Sequence, residues 1–222
     1  MSDTRRVLQA MTLGLALIAG TAIPAAGQDN VAATKHNLDV RADTILTLRD
    51  YGEVCVYCHT PHGGQSDSPL WNRHYSVASY TMYNNASSST IDMTVDAGPT
   101  GISLACLSCH DGTVGLDVII NPPNSWSGPA PDGSQTMPVG VTNLGSDLRN
   151  DHPISVIYST TDDAAFNAKT AVTGAGGLRL FGDGTTDRVQ CASCHNPHSN
   201  VFAPFLRKSN SASALCTTCH IK

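Results

Sequence analysis

Hydrophobic residues in this chain fall in short runs, and three of these runs predict helices. Apolar spacing favours a helix from Thr44 to Tyr51. A second is predicted from Ile102 to His110, where Asp111-Gly112 stops it. The third is predicted over Ser209 to His220, at the end of the chain.

Strand signals are weaker. Loose alternation of polar and apolar residues from Tyr75 to Val95 predicts a weak hairpin. Leu116 to Ile120 and Ile154 to Tyr158 each predict a short strand. Residues 121–140 are rich in Pro, Gly and Ser, and this composition predicts a linker between two halves of the chain.

The N-terminus has the pattern of an export signal. Arg5-Arg6 precedes a mostly apolar stretch from Val7 to Ile23, and Ala25-Ala26-Gly27 offers small residues for cleavage near Gln28. Residues 1–27 are therefore predicted to be a signal peptide, and their apolar stretch is too interrupted for a membrane span. We expect an exported protein, periplasmic or extracellular, with no membrane span in the mature chain.

Composition indicates that side chains alone would form a thin core. Of the 222 residues, 5% are aromatic and 14% are charged, so we expect bound cofactors to supply much of the core. Such a chain should stay largely unfolded without them. The net charge of −5 gives no electrostatic case for binding nucleic acid, whereas the sparse charge favours self-association.

Four Cys-x-x-Cys-His motifs, numbered 1 to 4 in chain order, contain all eight cysteines. In such a motif each cysteine can bond to a vinyl group of haem, and the histidine that follows becomes the proximal iron ligand. We therefore predict four covalently attached haem c groups. The attaching cysteines are Cys55 and Cys58, Cys106 and Cys109, Cys191 and Cys194, and Cys216 and Cys219, and the motif histidines are His59, His110, His195 and His220.

Disulfides and zinc are the competing interpretations of these cysteines. Disulfides between cysteines so close in sequence are strained and reducible, and every pair here has this spacing. Motifs 3 and 4 are separated by a distance close to that of a zinc ribbon. Neither alternative explains why a histidine follows the second cysteine in all four motifs, which haem attachment requires.

The motifs form an internal repeat. Each half of the chain has a histidine, then a Cys-x-x-Cys-His-x-Pro-His segment, and then a further motif. We therefore predict a first dihaem unit over residues 28–120 and a second over residues 141–222, joined by the linker.

Histidines at matching places in the two units are the predicted distal iron ligands, since iron accepts imidazole readily. They are His36 and His152, which match each other, and His62 and His198, which also match.

His74 has no matching histidine, because Lys208 stands at the equivalent place, and we interpret it as a solvated or core residue. The exported methionines Met82, Met93 and Met137 are the alternative distal ligands.

His62 and His198 cannot bind the iron of the motif just before them. Each follows a motif histidine by three residues, on the same side of that haem. As a ligand, each would bind a different haem, so the segment holds two haems close together, with Pro61 and Pro197 stiffening the turn. Two histidines per iron leave no open site, so we predict outer-sphere electron transfer, no enzymatic activity and no catalytic residues.

The chain resembles the cytochromes with doubled Cys-x-x-Cys-His motifs. The resemblance rests on Cys-Val-Tyr-Cys-His-Thr-Pro-His from Cys55, Pro-Leu-Trp-Asn-Arg from Pro69, Cys-Leu-Ser-Cys-His-Asp-Gly-Thr-Val from Cys106 and Asp-His-Pro-Ile from Asp151. Among these proteins it is most similar to the extracellular tetrahaem cytochromes of metal-reducing bacteria, of the outer-membrane cytochrome E type, which polymerise into filaments.

This resemblance implies a mostly irregular coil with short helices and a few short strands, organised around four haems in a continuous chain. It implies long-range electron transport to external acceptors, with other copies of the chain and redox proteins as partners. It also implies that one distal histidine reaches a haem of a neighbouring copy, for which His36, close to the mature N-terminus, is the natural candidate.

Two other functions compete with a filament. A monomeric periplasmic carrier would have the same haems without assembly. A multihaem reductase would need one high-spin iron with an open site.

The motifs generate a first prediction. The exported protein should be coloured, and its mass should exceed that of the bare polypeptide by four haem groups, because all eight sulfurs carry thioether bonds. Mass spectrometry and the pyridine haemochrome spectrum measure this. A colourless protein with the polypeptide mass would contradict haem attachment.

Overall fold

The computed structural model of this chain describes residues 30–39, 48–88 and 90–221. Within these ranges the helices are short. The α-helices are α1 (Ile102–His110), α2 (Lys169–Thr173), α3 (Cys191–Cys194) and α4 (Cys216–Cys219), and the 3-10 helices are Val31–Ala33, Leu148–Asn150 and Ser211–Ser213. None of these helices has the length and hydropathy needed to cross a membrane.

A two-stranded sheet lies in the second half of the chain. Strand β1 (Val156–Ile157) pairs antiparallel with β2 (Arg188–Val189), with Val156 opposite Val189 and Ile157 opposite Arg188. The remaining backbone is mostly coil and turn. The expectation of irregular coil with short helices and a few short strands is therefore confirmed.

Helix α1 has the bounds that the sequence predicts. Gly101 caps its N-terminus with φ of 51°, a left-handed conformation that glycine adopts without strain. At the other end, the backbone N–H of Asp111 donates to Leu107, and Gly112 follows with φ of 73°. Strand β1 lies inside the predicted strand from Ile154 to Tyr158, which is confirmed in part.

Two predicted elements are absent from the described residues, and a third forms only in part. The hairpin from Tyr75 to Val95 does not form, because Thr81 pairs instead with a distant segment, donating to Ser146 at 2.9 Å. Leu116 to Ile120 is not a strand, and the Leu116 N–H donates to Gln135 at 2.8 Å. The third helix is reduced to the single turns at Ser211–Ser213 and Cys216–Cys219.

The predicted signal peptide and most of the predicted helix from Thr44 to Tyr51 lie outside the described residues. The Pro/Gly/Ser-rich segment lies against the first half of the chain. Asp50 and Ser127 form an antiparallel bridge, and the Arg49 guanidinium lies 4.3 Å from the centre of the Trp126 ring. This cation–π contact and the backbone bridge hold the segment in place.

Among the described residues, buried apolar side chains form three small clusters instead of one core, and each lies beside a motif. The cluster at motif 1 contains Tyr51, Tyr57 and Ile119. The cluster beside α1 contains Met82, Leu107 and Leu148. The cluster at motif 4 contains Tyr158, Val172 and Leu178, with Leu215 and Cys219 against it.

Arg73 is a fully buried cation that ties two segments of the first half together. Its guanidinium donates to the carbonyls of Leu116 at 3.0 Å and of Gly115 at 2.6 Å. Burial of a charge is costly unless hydrogen bonds compensate it, so these two bonds fix the path of the chain after α1.

Replacing this cation should destabilise the fold. In R73M the Leu116 and Gly115 carbonyls lose their donors inside the protein, and we expect the free energy of unfolding to fall by about 2–4 kcal/mol. Urea unfolding of the haem-loaded protein measures it. The control is R149M, because Arg149 and its partner Asp147 are exposed and their ion pair should contribute nothing measurable. Equal unfolding midpoints for the two variants would contradict this role of Arg73.

Candidate functional site

Each Cys-x-x-Cys-His motif forms a single helical turn. Helices α3 and α4 span the two cysteines of motifs 3 and 4, and motif 2 forms the end of α1. In motifs 3 and 4 the backbone N–H of the histidine donates to the carbonyl of the first cysteine. Motif 1 has this hydrogen bond without a helix, since the His59 N–H donates to the Cys55 carbonyl at 2.8 Å. Residues three apart on such a turn lie on one face, so both sulfurs of a motif face the same way.

Three motif histidines each make a hydrogen bond of the same kind, from ring Nδ1 to a backbone carbonyl, which leaves the other ring nitrogen available to a metal. Nδ1 of His59 lies 2.9 Å from the Pro69 carbonyl, that of His110 lies 2.7 Å from Thr142, and that of His195 lies 3.1 Å from Pro204. A carbonyl only accepts, so Nδ1 donates its proton and Nε2 keeps a lone pair for a metal.

Two of the other histidines make the same kind of bond. Nδ1 of His36 lies 3.0 Å from the Pro197 carbonyl, and Nδ1 of His152 lies 2.9 Å from the Pro153 carbonyl. Both are predicted distal ligands, and both present Nε2 as the metal-binding nitrogen.

Three motif histidines lie opposite a predicted distal histidine. The ring centres of His36 and His110 are 6.2 Å apart, those of His59 and His198 are 6.0 Å apart, and those of His152 and His220 are 6.4 Å apart. These three pairs contain six of the nine histidines, all of which lie in described residues.

This spacing fits an iron between the two rings. A ring nitrogen binds a transition metal at about 2 Å and lies roughly 1 Å from its ring centre, so two imidazoles on one metal have centres about 6 Å apart. The rings of His59 and His198 are nearly parallel, at 19°, whereas the rings of the other two pairs are close to perpendicular, at 81° and 75°. With two thioether-forming cysteines beside each motif histidine, the residues fit haem c.

His36 lies within its own chain. Its ring is held by the Pro197 carbonyl and packs 4.3 Å from the Phe205 ring, next to His110. Both contacts come from the second half of the same chain. That one distal histidine reaches a haem of a neighbouring copy stays a prediction.

The loops that follow motifs 1 and 3 are structurally equivalent; we call residues 59–72 the first hairpin and residues 195–207 the second hairpin. His59 is bridged to Trp71 as His195 is to Leu206. Leu70 and Phe205 occupy equivalent positions, each one residue before the bridged Trp71 or Leu206. Their φ angles are 53° and 59°, a backbone conformation that residues with a Cβ seldom adopt.

Backbone hydrogen bonds fix the register between the two hairpins. The Asn72 N–H donates to Cys58 and the Arg207 N–H donates to Cys194, both at 2.8 Å. Lys208 therefore matches Arg73, and Ser209 matches His74. The equivalence of Lys208 with His74 was wrong by one residue, because the second hairpin is one residue shorter; His74 still has no matching histidine.

The eight cysteines, all within the described residues, form no disulfide. Across these same ranges, no three His, Cys, Asp or Glu side chains come together as a metal-binding cluster. Removal from water raises the pKa of Cys58 to about 12 and that of Cys194 to about 11. Thiolates are scarce at such pKa values, which favours haem attachment before the chain folds.

A buried polar network joins α1 to α3, and no pattern in the sequence predicts it. The Ser103 hydroxyl donates to Gln190 Oε1 and accepts from the Cys191 N–H at 3.1 Å. Ser103 is fully buried, and Gln190 is 2% exposed. The Cys106 and Cys191 thiols also interact by a hydrogen bond, so attachment sulfurs of motifs 2 and 3 lie side by side.

This network should contribute to stability. In S103A the Gln190 side chain and the Cys191 N–H lose a buried partner, and we expect the free energy of unfolding to fall by about 1–3 kcal/mol. S125A is the control, because Ser125 is an exposed serine outside the network. Thermal or urea unfolding of the haem-loaded proteins measures both, and equal stabilities would show that the network adds nothing.

Comparison with known proteins agrees with this geometry. A family model described as the doubled CXXCH motif matches residues 185–222, which include motifs 3 and 4. A search of curated proteins found no match. The doubled motif indicates covalently bound haem c, so the chain has the features of a multihaem c-type cytochrome, a class that acts in electron transfer.

Proposed function

We propose that this protein transfers electrons through four covalently attached haems whose irons are each bound by two histidines. The observation that carries this proposal is the set of three ring pairs, each of which joins a motif histidine to a histidine elsewhere in the chain. A histidine that served only as a solvated surface residue would not be expected with its ring centre about 6 Å from that of a motif histidine, and this arrangement occurs three times among the described residues.

From these pairs we infer three sets of axial ligands. His110 shares its iron with His36, His59 shares its iron with His198, and His220 shares its iron with His152. The pair of His59 and His198 crosses between the two dihaem units, so the haem attached in the first unit depends on the second.

Haem supplies the redox chemistry, and the chain sets its conditions. Two imidazoles per iron exclude an open substrate site, so we propose a carrier and no enzyme. In the five histidines that make one, the Nδ1–carbonyl bond increases the electron density of the ring, and such hydrogen bonds lower the iron potential. Partial removal from water lowers the pKa of His195 and keeps its imidazole in the neutral form that binds iron.

We further propose that copies assemble end to end into an extracellular filament. Apolar side chains are exposed on both hairpins, with Leu70 on the first, and Val201 and Phe202 on the second. With 14% charged residues, little like-charge repulsion opposes association. The alternative is a monomeric periplasmic carrier with the same ligands.

The ligand assignment predicts the effect of H198A. This change removes the second ligand of the His59 iron, so one of the haems should become high-spin while the others remain low-spin. Electron paramagnetic resonance of the ferric protein measures the spin states. The control is V201A, which shortens an exposed side chain in the same hairpin and should leave all haems low-spin. A fully low-spin H198A protein would exclude this ligand pair.

The assembly is tested on the exported wild-type protein. Negative-stain electron microscopy should show filaments, and size-exclusion chromatography should show species much larger than one chain. A uniform monomer at high concentration would contradict the filament and favour the carrier.

A further inference from the structure

We propose that His62 is the second ligand of the iron held by His195, so that the two hairpins exchange their second histidines. The inference rests on the proposed bis-histidine haems and assigns the one ligand that the three ring pairs leave open. Those pairs leave His62, His74 and His195 among the described histidines, and His195 is the motif histidine of the three.

The equivalence of the hairpins is the first argument. His198 follows the motif histidine of the second hairpin by three residues, and its ring lies 6.0 Å from His59 in the first hairpin. His62 has the same place in the first hairpin. The two hairpins share the bridge at the motif histidine, the hydrogen bond from the next residue across the hairpin, and the left-handed residue. The inner bridges, Gln65 with Trp71 and Phe202 with Leu206, differ, so the equivalence of His62 with His198 rests on the outer part of the hairpins.

The surroundings of His62 are the second argument. Its carbonyl accepts from the Thr60 hydroxyl at 3.1 Å and from the Asn121 amide at 2.9 Å, so its backbone is anchored. Its side chain is exposed. A ring on an anchored backbone with an exposed face can reach an iron outside its own hairpin.

The methionines that could replace His62 as a ligand are buried or hydrogen-bonded, and His74 has no matching histidine in the second hairpin. Met82 and Met93 are each 4% exposed, and Met82 packs against Leu107 in the cluster beside α1. The Met137 sulfur accepts from the Thr142 hydroxyl, next to the carbonyl that binds His110. His74 is exposed but matches Ser209, so the repeat gives it no ligand role.

Two relations between the hairpins are possible, and both make His62 the second ligand of the His195 iron. A mutual exchange, as in a two-fold pair, places His62 of the same chain on the His195 iron. In a head-to-tail relation, the second hairpin of one copy contacts the first hairpin of the next copy. His62 of that next copy then binds this iron. The ligand is the same imidazole in both cases. Its source determines whether the ligand set closes within one chain or continues into a filament.

The test compares H62A with H74A in the full-length, haem-loaded protein. We expect H62A to convert one haem, about a quarter of the low-spin ferric signal, to the high-spin form, because its iron loses one axial ligand. Free imidazole should restore the low-spin signal. H74A should stay fully low-spin. An H62A protein with every haem low-spin, or a high-spin haem in H74A, would overturn the proposal.

A structure of the haem-loaded wild-type protein shows which residue binds the His195 iron, and any residue other than His62 would refute the assignment. Dilution distinguishes the two sources. If wild-type monomers separated by size-exclusion chromatography remain fully low-spin, His62 comes from the same chain. If separation creates one high-spin haem, it comes from the next copy.

Failure of this inference differs from failure of the proposed function. The haem count by mass spectrometry tests haem attachment, and the H198A spectrum tests an independent ligand pair. Four haems and a high-spin H198A protein, together with a low-spin H62A protein, would leave the electron carrier intact and remove only the His62 assignment.

Discussion

The hydrogen bond from histidine Nδ1 to a backbone carbonyl is the interaction on which the site depends. It orients the imidazole, fixes the tautomer and leaves Nε2 available to a metal. At His59 and His195 the acceptor is a proline carbonyl of the following hairpin. The hairpins are therefore parts of the ligand geometry, and their left-handed residues Leu70 and Phe205 are the cost of turning the carbonyl toward the ring.

The rest of the fold reflects how few large aromatic side chains the chain has, 5% of its residues. In the part of the chain that the structure describes, three small clusters take the place of one core, and they lie beside motifs 1, 2 and 4. Motif 3 is held by polar contacts instead, through Ser103, Gln190 and Cys191. A buried polar network of this kind favours one arrangement strongly when all its groups are paired. It holds the junction between the two units at the place where attachment sulfurs of motifs 2 and 3 lie together.

Local signals in the sequence were reliable where the chemistry is local. Helix α1 follows from apolar spacing and the Asp111-Gly112 stop, and the motifs follow from the residues that thioether bonds and iron require. Strand signals failed between Tyr75 and Val95, because the Thr81 backbone pairs with Ser146 and Leu148, far away in sequence. Backbone pairing with a distant segment overrides a weak alternation of polar and apolar residues, because each buried N–H and C=O group needs a hydrogen-bond partner and a distant segment can supply it.

The amino-acid sequence by itself determined the number and position of the motifs and the pool of histidines, because these depend on residue type and short spacing, whereas the irregular fold was implied by the family resemblance. Tertiary structure alone decided which predicted distal histidine lies opposite which motif histidine, that the His36 ring lies beside His110, and that Ser103 and Gln190 join the two halves. These are contacts between segments far apart in the chain. Spacing along a sequence carries no information about them until the backbone brings the segments together.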